Sequence, residues 1–431
     1  MISSGVFSKN RIFRVCFNHK PDKSIFVPYN LLAEHVTKAG ELNMPIIRSM
    51  LDNDNYKFSM QSAVLKHCQH VPVKYVFKNR RPEGKFNENF VARLSEELDH
   101  MSSIAATDKE LQWFQDTCPF LTDEYIEYLR NYRYNPREIN AKLVDGDLQL
   151  EINGTWDRTI LWEVPLMSVI SQLYFTHCET DWEHDEIAQT NALIEKGDRL
   201  KDCNLADFGT RRRRSYDMQD LVVKTLKKFP KFVGTSNVHL AHKYGVKPIG
   251  TMAHEWLMGI SALEGLRFAN RHALDIWSKI FHGRLGIALT DTFGTNVFFE
   301  DFNGYLARLF DGVRHDSGDA LDFAHKVISH YKKLGIDPNT KTIVFSDGLD
   351  VDTALKIQKE LDGLVRISFG IGTHLTNDYA GSKPLNMVIK LSECNGVPVV
   401  KLSDTPEKAI GDRDAIRVAK WTFLHKPLDE L

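Results

Sequence analysis

The sequence predicts an α/β barrel accompanied by a smaller α+β domain assembled from both ends of the chain. Three observations carry that reading. From Cys203 onward, short apolar runs alternate with stretches of helical periodicity, which is the order parallel strands require. Five of these segments end in a Gly-Thr pair: Leu205 to Phe208 before Gly209-Thr210, Lys231 to Val233 before Gly234-Thr235, Val246 to Ile249 before Gly250-Thr251, LTDTF before Gly294-Thr295, and SFGI before Gly372-Thr373. Finally, Asn395-Gly396 separates two apolar runs, Met387 to Leu391 and Val397 to Leu402, the strongest short hairpin signal. The repeated Gly-Thr grammar predicts strands that deliver chemistry at one common end. Glycine there allows close backbone approach, and the threonine offers a hydroxyl beside exposed N–H groups, as a phosphorylated ligand requires.

Taken in order, residues 1 to 43 lack helical or strand periodicity and read as a loosely ordered leader; a clean apolar pattern begins at Met44, which is the expected start. A basic amphipathic targeting segment is the rival reading of the leader. Asp52 or Asp54 caps a helix through DNDNYKFSMQSAVLKH, and Val71 to Phe77 follows as a strand. Residues 88 to 131 are helical in texture, with breaks at Thr107 and Pro119. Ala141 to Ile152 folds back at Asp145-Gly146-Asp147 as a hairpin, and Trp156 to Trp162 continues as a further strand. Val164 to Thr176 and Asp185 to Lys196 are helices. Strands at Leu205 to Phe208, Phe232 to Val233, Val246 to Ile249, Ile287 to Thr290, Gly312 to Arg314, Thr342 to Ser346 and Val365 to Phe369 then alternate with helices at Asp217 to Phe229, Val238 to Tyr244, His254 to Phe281, Ala320 to Leu334 and Val351 to Leu361. The expected domains are 44–163 plus 385–431, and 164–384 for the barrel.

Composition excludes several functions. With 55 basic and 57 acidic residues among 431, the net charge is −2, so no global field draws the chain to nucleic acid or an anionic membrane. No apolar run approaches the roughly 20 residues that span a bilayer. Six scattered cysteines without metal-type spacing read as reduced thiols of a cytoplasmic protein.

The candidate chemistry lies at the presumed strand ends. Arg211 to Arg214 directly follow a Gly-Thr turn, where guanidiniums suit bidentate contact with phosphate or carboxylate; about half of the four are expected to serve as a helix face with internal ion pairs instead. Phe208 ends one strand and Tyr56 lies among charged residues, so two rings are available to clamp a flat ligand, against the plainer reading that each is core. His254, in GTMAHEW, stands at a turn entering a helix as a ligand, general base or nucleophile. Asp291, Asp316 and Asp347 recur at strand ends, where three carboxylates suit catalysis or a magnesium ion better than capping alone. Gly370, Gly372 and Thr373, in SFGIGTH, form a glycine-rich anion cradle late in the barrel.

Taken together, DNDNYKFSM, FGTRRRRS, GTSN, KYGVKPIGTMAHEW, LTDTFGT, GVRHDSGD, SDGLDVD, FGIGTHLTND and NMVIKLSECNG resemble the nicotinate phosphoribosyltransferase family from about Met44 to Asp404. The resemblance implies a type II phosphoribosyltransferase-like barrel that joins nicotinate to 5-phosphoribosyl pyrophosphate, with Mg²⁺, and with ATP as co-substrate consumed through a phosphohistidine. It implies His254 as the phosphorylated residue and Asp291 as its orienting partner. Phe208 and Tyr56 would lie on the two faces of the pyridine, Tyr56 reaching across from the neighbouring subunit of a homodimer. Arg211 and Arg314 would bind substrate anions, Asp316 and Asp347 the ribose hydroxyls or magnesium, and Gly370 to Thr373 the 5-phosphate. Ser236, where nicotinamide-using relatives carry aspartate, would donate its proton to nicotinate. The rivals are a nicotinamide-specific transferase, a decarboxylating quinolinate relative and an arginine-anchored RNA-binding protein.

Overall fold

The computed structural model describes residues 44–81 and 83–424. The leader, the expected start site's upstream segment and the last seven residues lie outside them. The chain first forms α1 (Asn55–His67), β1 (Pro72–Asn79), α2 (Glu88–Met101), α3 (Asp108–Thr117) and α4 (Asp123–Asn131). The hairpin β2 (Ile139–Val144) and β3 (Asp147–Thr155) follows, then α5 (Trp156–Thr159), a 3-10 turn at Ile160–Trp162, α6 (Glu163–His177) and α7 (Glu186–Arg199). The alternating part contains β4 (Leu205–Asp207), α8 (Tyr216–Leu226), β5 (Phe232–Thr235), α9 (Val238–Tyr244), α10 (His254–Glu264), α11 (Ala269–Phe281) and β6 (Ile287–Leu289). It continues through α12 (Thr295–Asp301), α13 (Gly304–Leu309), β7 (Gly312–His315), α14 (Ala320–Lys333), β8 (Thr342–Phe345), α15 (Val351–Leu361), β9 (Arg366–Ile371) and α16 (Thr373–Thr376). The chain closes with β10 (Met387–Cys394), β11 (Val397–Pro398) and α17 (Arg413–Leu424).

These strands make two sheets. One is antiparallel, ordered β11-β10-β1-β3-β2, and therefore draws on both ends of the chain. Its closing hairpin turns at Asn395 and Gly396, both at positive φ (53° and 75°), as a turn matched to strand twist requires. The other is parallel, ordered β5-β4-β9-β8-β7-β6, with helices as crossovers. Its edges are joined by the irregular segment 246–252. Ile249 N–H donates to Thr235 O at 2.8 Å on one side, and Thr251 Oγ1 donates to Ile287 O at 2.8 Å on the other. The wall is thus an α/β barrel with one irregular stave.

Helix α6 is apolar all round because it is enclosed: it packs on α2 and β10 on one side and on residues 210–212 on the other. Two hydroxyls on it reach the turn after β4, Ser168 Oγ donating to Thr210 O and Ser171 Oγ to Arg213 O, each at 2.8 Å. The arginine-rich turn is thereby held from behind.

Three expected elements differ. Trp156 to Trp162 is helical rather than a strand; every residue but Arg158 is buried, so no alternation of faces exists to mark its period. Val246 to Ile249 makes a single bridge, Pro248 to Thr235, because proline has no N–H to continue a ladder. The run His254 to Phe281 breaks at Gly265, at φ 91°, into two helices.

Candidate active site

Because the strands of the barrel are parallel, the residues that follow β4, β5, β7, β8 and β9 emerge at one end. A cavity of about 460 Å³ opens there, and its walls include Tyr56, Phe208, Arg211, Arg212, Ser236, His254, Arg314, Asp316, Gly370, Gly372 and Thr373. Of the expected site residues, only Asp291 and Asp347 lie off these walls.

The ring positions are set by glycines. Phe208 lies flat against Gly370, where an added Cβ would stand 2.3 Å from the ring, so only glycine fits. Gly250, at φ 133°, lets the stave pass the backbone of Tyr56, whose N would be 3.2 Å from a Cβ there. Tyr56 lines the cavity of its own chain. The physical reason is the stitching of the segment before α1 to the turn after β5. Asn55 N–H donates to Ser236 O at 2.8 Å, Val238 N–H to Asn53 O at 3.0 Å, and Asn55 Nδ2 to Gly250 O at 3.0 Å. The Tyr56 hydroxyl is buried without a hydrogen-bond partner among the described residues.

The four arginines divide in two. Arg213 is fully buried and bidentate to Asp52, both bonds 2.8 Å. Arg214 sits 3.6 Å from the Phe175 ring centre, 4.5 Å from Trp182 and 4.3 Å from Tyr379, with Asn377 and Ser382 accepting its protons. Arg211 and Arg212 face the cavity, and Arg211 is 3.5 Å from Glu163.

The Gly-Thr threonines mostly do other work than the one expected of them. Thr235 Oγ1 donates to Asp207 at 2.7 Å, Thr210 Oγ1 accepts from Gln219, Thr251 holds the stave, and Thr295 bonds Asp404. Only Thr373 reaches the cavity wall. Burial raises the Asp207 carboxyl to about 6, and the Gly209 N–H, Gln219 and Thr235 donors it collects pin the turn that leads to the arginines.

Ser236 Oγ donates to Asp54 Oδ1 at 2.7 Å. Its single proton is engaged with that carboxylate. Asp54 itself lines the cavity, and burial raises its carboxyl against the opposing pull of Arg211 and Ser236.

His254 is 5% exposed at the first position of α10. Its Nδ1 is 3.0 Å from Thr292 Oγ1, and its Nε2 is 2.9 Å from Asp316 Oδ2 and 3.5 Å from Asp291 Oδ1. The group on Nδ1 is thus Thr292, while Asp291, the expected orienting partner, stands beyond Nε2. Burial, reinforced by the nearby Lys401 ammonium, pushes the imidazole down to about 4, so the ring is neutral at pH 7.

Asp316 and Asp347 each have a different partner. Asp347 accepts from Lys408 Nζ at 2.5 Å outside the cavity, whereas Asp316 faces His254, with Arg314 at 3.9 Å. Among the described residues, the donor atoms with metal-like spacing are those of His254, Asp291 and Asp316, within 4.8 Å of one another. Lys401 Nζ sits against the same atoms, 3.1 Å from Asp291 Oδ2. These residues do not fit a magnesium ion shared by Asp316 and Asp347.

Several site residues escape a reading by motif. Behind the cavity wall, which includes Glu163 and Glu255, the fully buried Lys57 pairs with Glu163 at 2.6 Å and with Glu255, which also accepts from Trp156 Nε1 at 2.8 Å and Tyr75 OH at 2.5 Å. Removing one member of such a buried set leaves an uncompensated charge, at a cost of about 3–5 kcal/mol. Glu255 follows His254, so this network fixes the start of α10. Lys390, on β10, lines the cavity and makes no ion pair among the described residues. Only its sequence neighbourhood, NMVIKLSECNG, offered a signal.

Among the described residues, no helix is long and apolar enough to cross a membrane. Residues 203–426 match the model of the nicotinate phosphoribosyltransferase (NAPRTase) family, and residues 51–171 that of its N-terminal domain. A nicotinate phosphoribosyltransferase of Methanococcoides burtonii is 50% identical over 406 residues, covering 89% of this chain and all of the relative. Crystal structures of a nicotinate phosphoribosyltransferase from Porphyromonas gingivalis and a putative one from Saccharomyces cerevisiae superpose with TM-scores of 0.85 each. They share 37% and 35% identity, covering 88% and 90% of this chain and the whole of each neighbour.

Proposed function

Because this chain belongs to the nicotinate phosphoribosyltransferase family, we propose that it joins nicotinate to 5-phosphoribosyl pyrophosphate, releasing pyrophosphate, in pyridine nucleotide biosynthesis, and that ATP drives the transfer through a phosphohistidine at His254. One observation carries the reading: a single cavity gathers two rings, Tyr56 and Phe208, three guanidiniums, Arg211, Arg212 and Arg314, and a buried neutral histidine.

The pyridine lies between Tyr56 and Phe208, with its carboxylate toward the cationic wall. Its ring nitrogen attacks the anomeric carbon, the carbon–nitrogen bond forms, and the bond to pyrophosphate oxygen breaks. Charge develops as an oxocarbenium-like sugar and a polyanionic leaving group, and fixed cations in a partly dry cavity stabilise the latter. Gly372 and Thr373 receive the 5-phosphate on their backbone N–H groups, while Gly370 gives its open side to the Phe208 ring. Magnesium enters as a complex with the substrate phosphates rather than on the Asp316–Asp347 pair. All of these groups come from one chain, so the reading needs no residue from a second copy.

His254 supplies the ATP-linked step because its neutral ring retains a lone pair at pH 7. His254→Ala is expected to abolish ADP release while leaving slow, ATP-independent nucleotide formation. Parallel measurement of ADP and nicotinate mononucleotide tests this; ADP release at the wild-type rate in the variant contradicts it.

A further inference from the structure

His254 Nε2 has two partners that demand opposite things of it. Asp316 Oδ2, at 2.9 Å, is an acceptor and favours the tautomer with the proton on Nε2. Lys401 Nζ, at 2.8 Å, carries only donors and favours the tautomer with a lone pair on Nε2 and the proton on Nδ1. The Thr292 hydroxyl, 3.0 Å from Nδ1, serves either form.

Lys401 is built into this position. It is 5% exposed, and its ammonium is also 3.1 Å from Asp291 Oδ2 and 4.0 Å from Asp316 Oδ2. Its backbone is paired with Ile410 through Lys401 N–H to Ile410 O at 2.8 Å and the reverse bond at 2.9 Å. The next residue, Leu402, donates its N–H at 2.8 Å to the carbonyl of Thr292, the residue that holds Nδ1. The segment after β11 therefore delivers a cation to His254 across 147 positions of sequence.

Resting on the phosphohistidine reading, we propose that Lys401 is a positioning residue for His254: it selects the tautomer whose Nε2 lone pair is nucleophilic and then pairs with the phosphoryl group that Nε2 receives. In that step the Nε2 lone pair forms a bond to the γ-phosphorus of ATP. The bond from that phosphorus to the bridging oxygen breaks, and its electron pair leaves with ADP. The ring proton stays on Nδ1 facing Thr292. Asp316 turns toward Ser346, whose Oγ is already 3.1 Å from Oδ1, and toward Arg314. The Lys401 ammonium, displaced from the nitrogen, meets the phosphoryl oxygens while Asp291 holds it from behind.

Two readouts on the full chain test this. In ¹⁵N-histidine NMR, His254 of the wild type is expected as the Nδ1–H tautomer, Lys401→Met as Nε2–H, and Lys401→Arg as the wild type. In single-turnover labelling with [γ-³²P]ATP, the acid-labile label on His254 should form about 100-fold more slowly in Lys401→Met, the scale of losing one preorganised donor, with partial recovery in Lys401→Arg. A native thermal transition in Lys401→Met shows that folding is not the cause; if it is absent, Lys401→Gln is read in its place. The same tautomer in the wild type and the variant, or labelling at the wild-type rate, overturns the proposal. A wild-type chain that takes no label sinks the phosphohistidine reading instead, and the tautomer comparison then decides the Lys401 assignment alone.

Discussion

Ser236 donates its hydroxyl proton to Asp54, Oγ to Oδ1 2.7 Å. On the proposed function, selection of nicotinate falls to the cations of the cavity wall, Arg211, Arg314 and Lys390, against the resident carboxylate of Asp54. Ser236→Asp would set a second carboxylate against Asp54, and two such groups in contact cannot both ionise at neutral pH. The expected result is a fall of at least about tenfold in kcat/KM for nicotinate, the equivalent of about 1.4 kcal/mol. Ser236→Ala, which removes a donor and adds no charge, should lose less. Steady-state kinetics with nicotinate and nicotinamide check both; unchanged nicotinate kinetics in Ser236→Asp refute this account of the pocket.

Tyr56 and His254 line the cavity of one chain. Mixing inactive Tyr56→Ala and His254→Ala proteins should therefore restore no activity, because every chain in the mixture lacks one of the two. Return of activity, with the parent variants inactive, would place Tyr56 in a neighbouring copy's site.

Lys390 is expected to give the activity a basic limb. Burial lowers its ammonium to about 8, with Arg211 and Lys401 adding to the effect and Glu163 and Asp316 opposing it. The lysine is charged below that pH and neutral above it, so binding of anionic substrate should weaken as pH rises through about 8. In a kcat/KM profile from pH 6 to 9.5, Lys390→Arg should remove this limb, since arginine stays charged throughout. A limb of the same position in Lys390→Arg assigns it to another group.

The parallel alternation, the closing hairpin and cavity residues such as Phe208, Arg211 and His254 were legible because each belongs to a local pattern: a strand that stops at a glycine, or an Asn-Gly turn. Trp156 to Trp162 was not, since a segment buried on all sides carries no period, and its aromatic and branched residues favour a strand when context is ignored. The Gly-Thr grammar marked the correct end of the barrel but not the use of the hydroxyls. Four of the five threonines hold the scaffold, and that depends on partners such as Asp207 and Asp404, which lie elsewhere in the sequence. Lys401 stood within an apolar run that reads as a hairpin strand. Its approach to His254 depends on β11 ending at Pro398 and releasing the chain toward Thr292.

The most direct test supplies 5-phosphoribosyl pyrophosphate with nicotinate, nicotinamide or quinolinate in turn, with and without ATP, and resolves the mononucleotide products chromatographically. The expected result is nicotinate mononucleotide from nicotinate alone among the three, formed faster with ATP and accompanied by ADP. Efficient conversion of nicotinamide, carbon dioxide release from quinolinate, or no nucleotide from nicotinate would contradict it.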